Sequence, residues 1–324
     1  MIELIENERT IELTSRMISK GREPHSVIIC GEKGLGKRTI ARYLAAQLLC
    51  ENGGGTPCGT CRNCRLVEKN EHPDVITAVS SETGNYKVDD IRTIVSDAYI
   101  SPSEGRYKIY MIPDIDRSPQ TSVQLQNILL KTIEEPPASS VLILTARSKE
   151  IFLETIISRT VHLNAAEVSH ANAMAYLIRH GKDRQLAEEA VRRCGGNIGR
   201  ALFYTEDEEE RASAEAALSC CRALAAHDEY ILLKTLSDSG TKKNSFLTLT
   251  GYMTRIIDDA VKLRTGAGDE FMYSREVCRA LGNTYSLKRL ADIYDALTDH
   301  SGRAAANCLV QTLHNSLAAT LAEI

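Results

Sequence analysis

Residues 27–49 read VIICGEKGLGKRTIARYLAAQLL, and their pattern indicates the architecture of the amino-terminal half. A short apolar run at 27–30 ends at a glycine-rich loop, and apolar residues then recur at helical spacing over 39–49. A strand, a glycine loop and a helix in this order form a phosphate cradle, because backbone N–H groups and the helix N-terminus converge on an anion. The cradle residues are Gly31, Gly34, Gly36 and Lys37.

The residue after the loop lysine departs from the pattern G-x-x-x-x-G-K-[ST]. That position normally carries a hydroxyl that holds Mg²⁺, whereas this chain has Arg38. A guanidinium cannot coordinate a metal ion and adds positive charge beside the ion's place. Thr39 offers a hydroxyl one residue later, which is a rotation of about 100° around the helix. The sequence therefore predicts a degenerate phosphate loop.

A second metal ligand is expected where a later strand ends, because such sites use one carboxylate for Mg²⁺ and another to polarise water. The apolar run KIYMI at 108–112 is followed by Pro113, Asp114 and Asp116. With Asp114 at the water-polarising position, Pro113 takes the metal position and offers no side-chain ligand. Alternatively, the two aspartates only form a turn. We predict that the site cannot hydrolyse ATP, while ATP binding without hydrolysis stays open.

Short apolar runs alternate with helical patterns through the first 165 residues. Besides the strand and helix around the loop, the pattern predicts strands at 74–79, 108–112 and 141–145 and helices at 88–99 and between Ser118-Pro119 and Pro136-Pro137. Buried strands alternating with helices indicate an α/β fold with a parallel sheet covered on both faces.

The character of the chain changes near residue 167. Residues 166–206 read as short helices around a Gly-rich break, which predicts a small helical lid, and residues 207–324 predict an all-α packing or oligomerisation module. Soft helix breaks are predicted at 238–240, 266–268 and 299–302.

Four cysteines lie close together in LLCENGGGTPCGTCRNC: Cys50, Cys58, Cys61 and Cys64. Four thiolates gathered by one loop suit a closed tetrahedral Zn²⁺ site, which is structural because no coordination position stays open. Three cysteines spaced i, i+3, i+6 cannot pair without leaving one over, which argues against disulfides. An iron–sulfur cluster is the alternative, although the fourth cysteine lies upstream and no Cys-Pro ending follows. The remaining six are predicted to be small buried hydrophobes: Cys30, Cys194, Cys220, Cys221, Cys278 and Cys308.

Composition restricts the classes of function. Apolar residues make up 43% of the 324, enough for the cores of two or three domains, and the net charge is -4. An acidic balance argues against a general polyanion binder. No apolar run approaches the ~18 residues of a membrane span, and the acidic amino terminus lacks a signal-peptide core. We therefore expect a cytoplasmic protein without membrane contact.

Several motifs together resemble the clamp-loader AAA+ subunits of bacterial DNA polymerase III. NILLKTIEEPP at 127–137 is very similar to that family's signature helix, and PHSVIICGEKGLGK at 24–37 resembles its strand and loop entry. The cysteine module after the first loop helix is characteristic of these subunits, and ISR at 157–159 is similar to their Ser-Arg-Cys motif. The resemblance covers roughly residues 1–205.

The resemblance implies a domain organisation and a set of partners. It implies an AAA+ P-loop parallel-sheet domain at 1–165 with an inserted zinc module at 50–64, a helical lid at 166–206 and an all-α collar domain at 207–324. It also implies assembly with delta and gamma/tau subunits into a complex that opens the sliding clamp and places it on primer-template DNA.

Departures from the motor pattern indicate which kind of subunit this is. The gamma/tau motors keep a hydroxyl after the loop lysine and an Asp-Glu pair, where this chain has Arg38 and Pro113. The motor's lid motif reads GNIGRAL here, which puts Gly199 at the place of the nucleotide-sensing arginine and moves arginine to Arg200. Together these losses resemble the delta-prime subunit, a stator that does not hydrolyse ATP.

Arg159 is retained and gives the resemblance its mechanistic content. By itself an arginine at this place predicts a surface salt bridge. By resemblance, Arg159 reaches in trans to the γ-phosphate of a neighbouring motor subunit, where such a residue accelerates phosphoryl transfer by about 10³–10⁵.

Two other hypotheses remain open. The chain could be a catalytically active gamma/tau-like ATPase in which Thr39 and Asp114 rescue the metal site in a shifted register. It could also be a zinc-dependent DNA-binding protein, although the acidic balance and the missing basic-aromatic stripe weigh against this.

Overall fold

The computed structural model describes residues 2–81, 85–117, 119–240, 242–267, 273–306 and 308–324. The chain divides into two compact units, Met1–Glu167 and Val168–Ile324. The first unit ends at Glu167, two residues after the predicted end of the α/β domain. The further division of the second unit into a lid and a collar stays a prediction.

The first unit is built around one parallel sheet with the strand order β2-β3-β4-β1-β5. Its strands are β1 Ser26–Cys30, β2 Val75–Thr77, β3 Lys108–Ile112, β4 Ser140–Ala146 and β5 Val161–Asn164. Its α-helices are α1 Glu8–Ser19, α2 Lys37–Leu49, α3 Arg62–Lys69, α4 Val88–Asp97, α5 Pro119–Glu134 and α6 Glu154–Ile157. Short 3₁₀ turns lie at Ile115–Arg117 and Lys149–Ile151.

Helices cover both faces of this sheet. Alternate residues of a strand point to opposite faces, so Val27 and Ile29 pack in one core cluster with residues of α1, α2 and α3. Ile28 faces the other cluster, with residues of α4, α5 and α6. Strands buried on both faces read as continuous apolar runs, and the predicted α/β class is confirmed.

The sequence pattern missed three elements of the first unit. β5 (VHLN) is only four residues long and partly exposed, and it is ordered by pairing with β1, in which Val161 lies opposite Val27. α1 and α3 were not predicted either. Ser118, the predicted N-cap of α5, lies outside the described residues, and the helix begins at Pro119.

Among the residues that the structure describes, all secondary-structure elements of the second unit are helices. Its helices are α7 His170–Arg179, α8 Arg184–Cys194, α9 Ile198–Glu206, α10 Glu208–Ala225, α11 Glu229–Asp238, α12 Lys243–Thr265, α13 Arg275–Thr284, α14 Leu287–Ala305 and α15 Val310–Glu323. Among the described residues, no helix is both long and apolar enough to cross a membrane.

One of the three predicted helix breaks is wrong. α11 ends before Gly240, which has φ +95°, and α12 ends at Gly266 with φ +70°, as predicted, while Gly268 lies outside the described residues. α14, however, runs through 299–302 without interruption. The Ser301 hydroxyl donates to the Leu297 carbonyl and to Thr250 Oγ1, so its polar group is satisfied inside the helix.

A tight backbone contact in the second unit requires glycine at position 196. The Val168 N–H donates to the Gly196 carbonyl at 3.0 Å, and a Cβ on Gly196 would lie 1.9 Å from the Val168 carbonyl oxygen. Because backbone cannot move aside as a side chain can, we expect Gly196→Ala to lower the free energy of unfolding by about 3 kcal/mol.

Urea unfolding followed by circular dichroism checks this prediction. The matched control is Gly302→Ala in α14, where an added Cβ has no neighbour within 4 Å. An alanine there is expected to leave stability unchanged or slightly raised, because glycine is a poor helix former. Equal midpoints for Gly196→Ala and the unsubstituted protein would contradict the prediction.

Candidate functional site

Three glycines of the loop have positive φ values. Gly31, Gly34 and Gly36 have φ values of +148°, +97° and +77°, conformations that residues with a side chain rarely adopt. Gly36 is the N-cap of α2, and a Cβ on Gly31 would lie 2.9 Å from the Ala165 carbonyl oxygen. The loop therefore joins the end of β1 to the N-terminus of a 13-residue helix, as in a phosphate cradle.

Lys37 is buried at the start of α2 and is held by the loop itself. Its Nζ donates to the Gly31 carbonyl at 2.6 Å and to the Glu32 carbonyl at 3.1 Å. Burial lowers the pKa of Lys37, while the carboxylates of Asp114 and Asp116 act in the opposite direction. The ammonium group is thus directed into the cradle and bound by backbone carbonyls.

Arg38 forms an ion pair with the carboxylate that follows β3. Its Nη2 lies 3.2 Å from Asp114 Oδ2, and Lys37 Nζ lies 3.7 Å from Asp114 Oδ1. Asp114 therefore faces two cations from the first turn of α2. The Arg38 side chain is 64% exposed, so this contact contributes little stability. The pair matters for metal binding, because Arg38 balances the charge of the Asp114 carboxylate, which could otherwise hold or face Mg²⁺.

The structure distinguishes the two aspartates that the turn hypothesis treated alike. Asp116 Oδ2 accepts from the Arg147 backbone N–H at 2.9 Å, which is a structural contact between loops. Asp114 faces the phosphate loop, and its own N–H donates to Thr145 Oγ1 at 2.8 Å. The Pro113 carbonyl accepts from the Tyr86 hydroxyl. Among the described residues, no hydrogen bond or ion pair links the Thr39 side chain to Asp114.

The four clustered cysteines meet in space. The Sγ atoms of Cys50, Cys58, Cys61 and Cys64 all lie within 4.8 Å of one another, and none of these cysteines is in a disulfide. An ion bonded to four sulfurs at about 2.3 Å places the sulfurs about 3.8 Å apart, and Cys58 and Cys64 are 4.0 Å apart. The cluster fits one tetrahedral metal ion such as zinc.

Hydrogen bonds prepare one of these thiols to bind as thiolate. The Thr60 hydroxyl and the backbone N–H groups of Cys61 and Thr60 lower the pKa of Cys58 to about 6. Burial raises the pKa of Cys64. The thiolate is the form that binds metal. A bound metal cation would supply the positive charge that stabilises the buried Cys64 thiolate.

The cysteine module is fastened to α1 and α2 through Gly55. The Gly55 carbonyl accepts from Ser15 Oγ at 2.8 Å and from the buried Gln47 Nε2 at 2.7 Å. A Cβ at this position, where φ is +74°, would lie 2.7 Å from the Ser15 carbonyl oxygen. On its other side, Arg62 pairs with Glu104. The module is therefore part of the first unit's packing. Of the other six cysteines five are buried, but Cys308 is exposed, and its predicted burial is wrong.

Arg159 follows α6 on an exposed surface. Its Nη1 donates to the Thr155 carbonyl at 3.0 Å and to Ser158 Oγ at 3.1 Å, and its Nη2 lies 3.6 Å from Glu134 Oε1. The Arg159 side chain is 45% exposed. The sequence pattern did not predict Glu134 as a partner of Arg159. Glu134 lies in the last turn of α5, where a negative charge is unfavourable unless a cation compensates it, and this position was the available signal.

Arg200 is engaged within the second unit. Its guanidinium carbon lies 4.1 Å from the centre of the Tyr252 ring, and its Nε lies 3.9 Å from Glu210 Oε1. Gly199 precedes it in α9. The arginine next to the predicted nucleotide-sensing position thus packs on an aromatic ring of its own unit.

Comparison with known proteins adds a family to this geometry. A family model described as DNA polymerase III, delta subunit, matches residues 6–169. The tau subunit of DNA polymerase III from Salmonella typhimurium is 35% identical over 193 residues, which are 58% of this chain and 28% of that protein. The delta' subunit from Bacillus subtilis is 33% identical over 151 residues, 47% of this chain and 45% of that protein.

A solved structure of a gamma subunit-related protein from Thermotoga maritima aligns over 97% of this chain and 99% of that chain, with 17% identity and a TM-score of 0.45. The chain matches less than half the length of the two relatives named above. The family model covers half of the chain, and that half contains the phosphate loop, the cysteine module and the sheet around them. The family assignment therefore rests on these features. The chain belongs to the DNA polymerase III clamp-loader family of AAA+ proteins.

Proposed function

We propose that the chain is a delta-prime-type subunit of the clamp loader, a stator that does not hydrolyse ATP. The ion pair between Arg38 and Asp114 is the observation that supports this most directly. Hydrolysis needs a hydroxyl and a carboxylate on Mg²⁺, and the first of these positions carries a guanidinium that neutralises the nearest carboxylate. Pro113 adds no side-chain ligand beside it.

In this proposal Arg159 is an arginine finger that acts on a neighbouring subunit. It is exposed, and its fixed positive charge suits the charge that builds up on a transferring phosphoryl group. The partners would be gamma/tau and delta subunits, with the sliding clamp and primer-template DNA reached through the complex. The helices at 166–206 and 207–324 would act as the lid and the collar of such a subunit, in the cytoplasm.

We further propose that Cys50, Cys58, Cys61 and Cys64 hold a structural Zn²⁺. A closed set of four sulfurs leaves no coordination position for substrate, and the module packs against α1 and α2 through Gly55. A single ion also suits the short Sγ–Sγ distances better than a cluster, in which the thiolates bind separate iron atoms.

Lys37→Ala tests whether this chain's own loop takes part in turnover. We expect no ATP hydrolysis by the purified chain with Mg²⁺ and unchanged steady-state ATPase when the Lys37→Ala variant is assembled with gamma/tau and delta. The matched control is alanine at the phosphate-loop lysine of the gamma/tau partner, which should abolish turnover. Co-purification of the three subunits checks assembly in each case.

The competing function is a gamma/tau-like ATPase, which the longer match to a tau subunit favours. Turnover by the isolated chain that disappears in the Lys37→Ala variant would establish that function and overturn the stator proposal. The Arg38–Asp114 pair argues against it, because Arg38 would have to leave Asp114 before Mg²⁺ could approach.

A further inference from the structure

We propose that Glu134 is a positioning residue for Arg159, one that orients the guanidinium for a triphosphate held by a neighbouring subunit. This inference rests on the proposed function, since it concerns how the same arginine is presented. Glu134 ends α5 and Arg159 follows α6, so two helix ends meet at this surface. Their side chains approach to 3.6 Å between Glu134 Oε1 and Arg159 Nη2.

The hydrogen bonds of Arg159 are all on Nη1, and among the described residues Nε and Nη2 have no hydrogen-bond acceptor. Both acceptors within hydrogen-bonding distance, the Thr155 carbonyl and Ser158 Oγ, lie on Nη1. Glu134 faces Nη2 at ion-pair distance, and no acceptor contacts Nε among the described residues. An arginine binds a phosphate most strongly through two parallel N–H groups. Nη2 carries two N–H groups, so Nε and the N–H of Nη2 that does not face Glu134 are available for a bidentate contact while Nη1 is anchored.

The position of Glu134 at the end of α5 supports a role for its charge in this contact. The C-terminus of a helix carries partial negative charge, so a carboxylate there is unfavourable by itself. α5 nevertheless ends at Glu134, and Glu135 follows it directly before Pro136-Pro137. The cation of Arg159 compensates Glu134, whereas no ion pair of Glu135 is found in the described part of the chain. Glu135 thus provides a neighbour of equal charge that is also exposed and lacks the contact.

The expected advantage is conformational. A long arginine side chain loses rotamer freedom when it is fixed on a phosphate, and a carboxylate that already restrains it reduces this cost. Because the pair is 45% and 44% exposed, the coupling lies within the range of surface ion pairs, so removing it should cost about threefold in rate. Screening by salt should reduce the difference further.

The experiment uses the assembled complex with four versions of this subunit: Glu134→Gln, Glu135→Gln, Arg159→Ala and the Glu134→Gln, Arg159→Ala double variant. Glutamine keeps the size of glutamate, so packing is preserved. In single-turnover hydrolysis we expect Glu134→Gln to slow the phase that depends on Arg159 about threefold with unchanged nucleotide affinity and assembly, and Glu135→Gln to have no effect. The double variant should match Arg159→Ala, because residues that act through one contact are not additive.

Two results would overturn the inference alone: a Glu134→Gln variant in which the phase that depends on Arg159 has its normal rate, or a double variant in which that phase is slower than in Arg159→Ala by the same factor. The latter would mean that Glu134 acts independently of the arginine. If Arg159→Ala itself leaves hydrolysis intact, the arginine-finger role proposed for Arg159 and the inference both fall, and this outcome is distinguishable from the first two.

Discussion

Replacing Arg159 with alanine is expected to slow ATP hydrolysis at the neighbouring site of the assembled complex by on the order of 10³. The guanidinium is exposed beyond α6, with its hydrogen bonds on Nη1 and with Nη2 at ion-pair distance from Glu134, so N–H groups of Nε and Nη2 can contact the charge that develops on the transferring phosphoryl group. Alanine removes that charge without disturbing a core, since Ile156 carries the packing of α6. Assembly and nucleotide affinity should stay within a factor of about two.

Single-turnover hydrolysis by the complex separates the affected site from the others, since only the phase that depends on Arg159 slows. Arg92→Ala is the matched control, because Arg92 is also exposed and paired with a carboxylate, Asp89, but lies on α4. Single-turnover traces for Arg159→Ala that superimpose on those of the unsubstituted complex would rule out donation in trans.

Cys61→Ser is expected to release the metal ion and destabilise the first unit. Serine oxygen is a poor replacement for a thiolate on zinc, and Cys61 also caps α3, with its Sγ accepting from the Cys64 N–H. We expect a loss of about 3–5 kcal/mol in the free energy of unfolding, a fraction of the roughly 10–16 kcal/mol with which structural zinc binds to zinc-finger peptides. No large direct effect on chemistry elsewhere is expected.

Metal content by mass spectrometry and urea unfolding measure the two effects. Cys308→Ser is the control, since Cys308 is exposed and remote in sequence from the cluster, and it should leave one zinc ion per chain. A Cys61→Ser variant with full zinc content would remove Cys61 from the ligand set, and iron with inorganic sulfide in the purified protein would favour the iron–sulfur alternative.

The parts of the fold that could be predicted are those whose signals are local. β1, β3 and β4 are buried on both faces and therefore read as apolar runs. β5 could not be found this way, because a short and partly exposed strand is ordered by its neighbour β1 and not by its own composition. Similarly, the break predicted at 299–302 is absent because the Ser301 hydroxyl in α14 donates to Thr250. Thr250 lies 51 residues away, so no local pattern indicates this contact.

The candidate sites divide in the same way. Local sequence was enough to show that the loop is rich in glycine, that arginine replaces its hydroxyl, and that four thiols lie within 15 residues. These are properties of covalent neighbours, whose spacing limits where their atoms can go. The contact of Arg38 with Asp114, 76 residues away, and that of Glu134 with Arg159 could be found only in the folded chain. Those contacts depend on the order of strands in the sheet, which brings together segments that are distant in the sequence and that no local pattern connects.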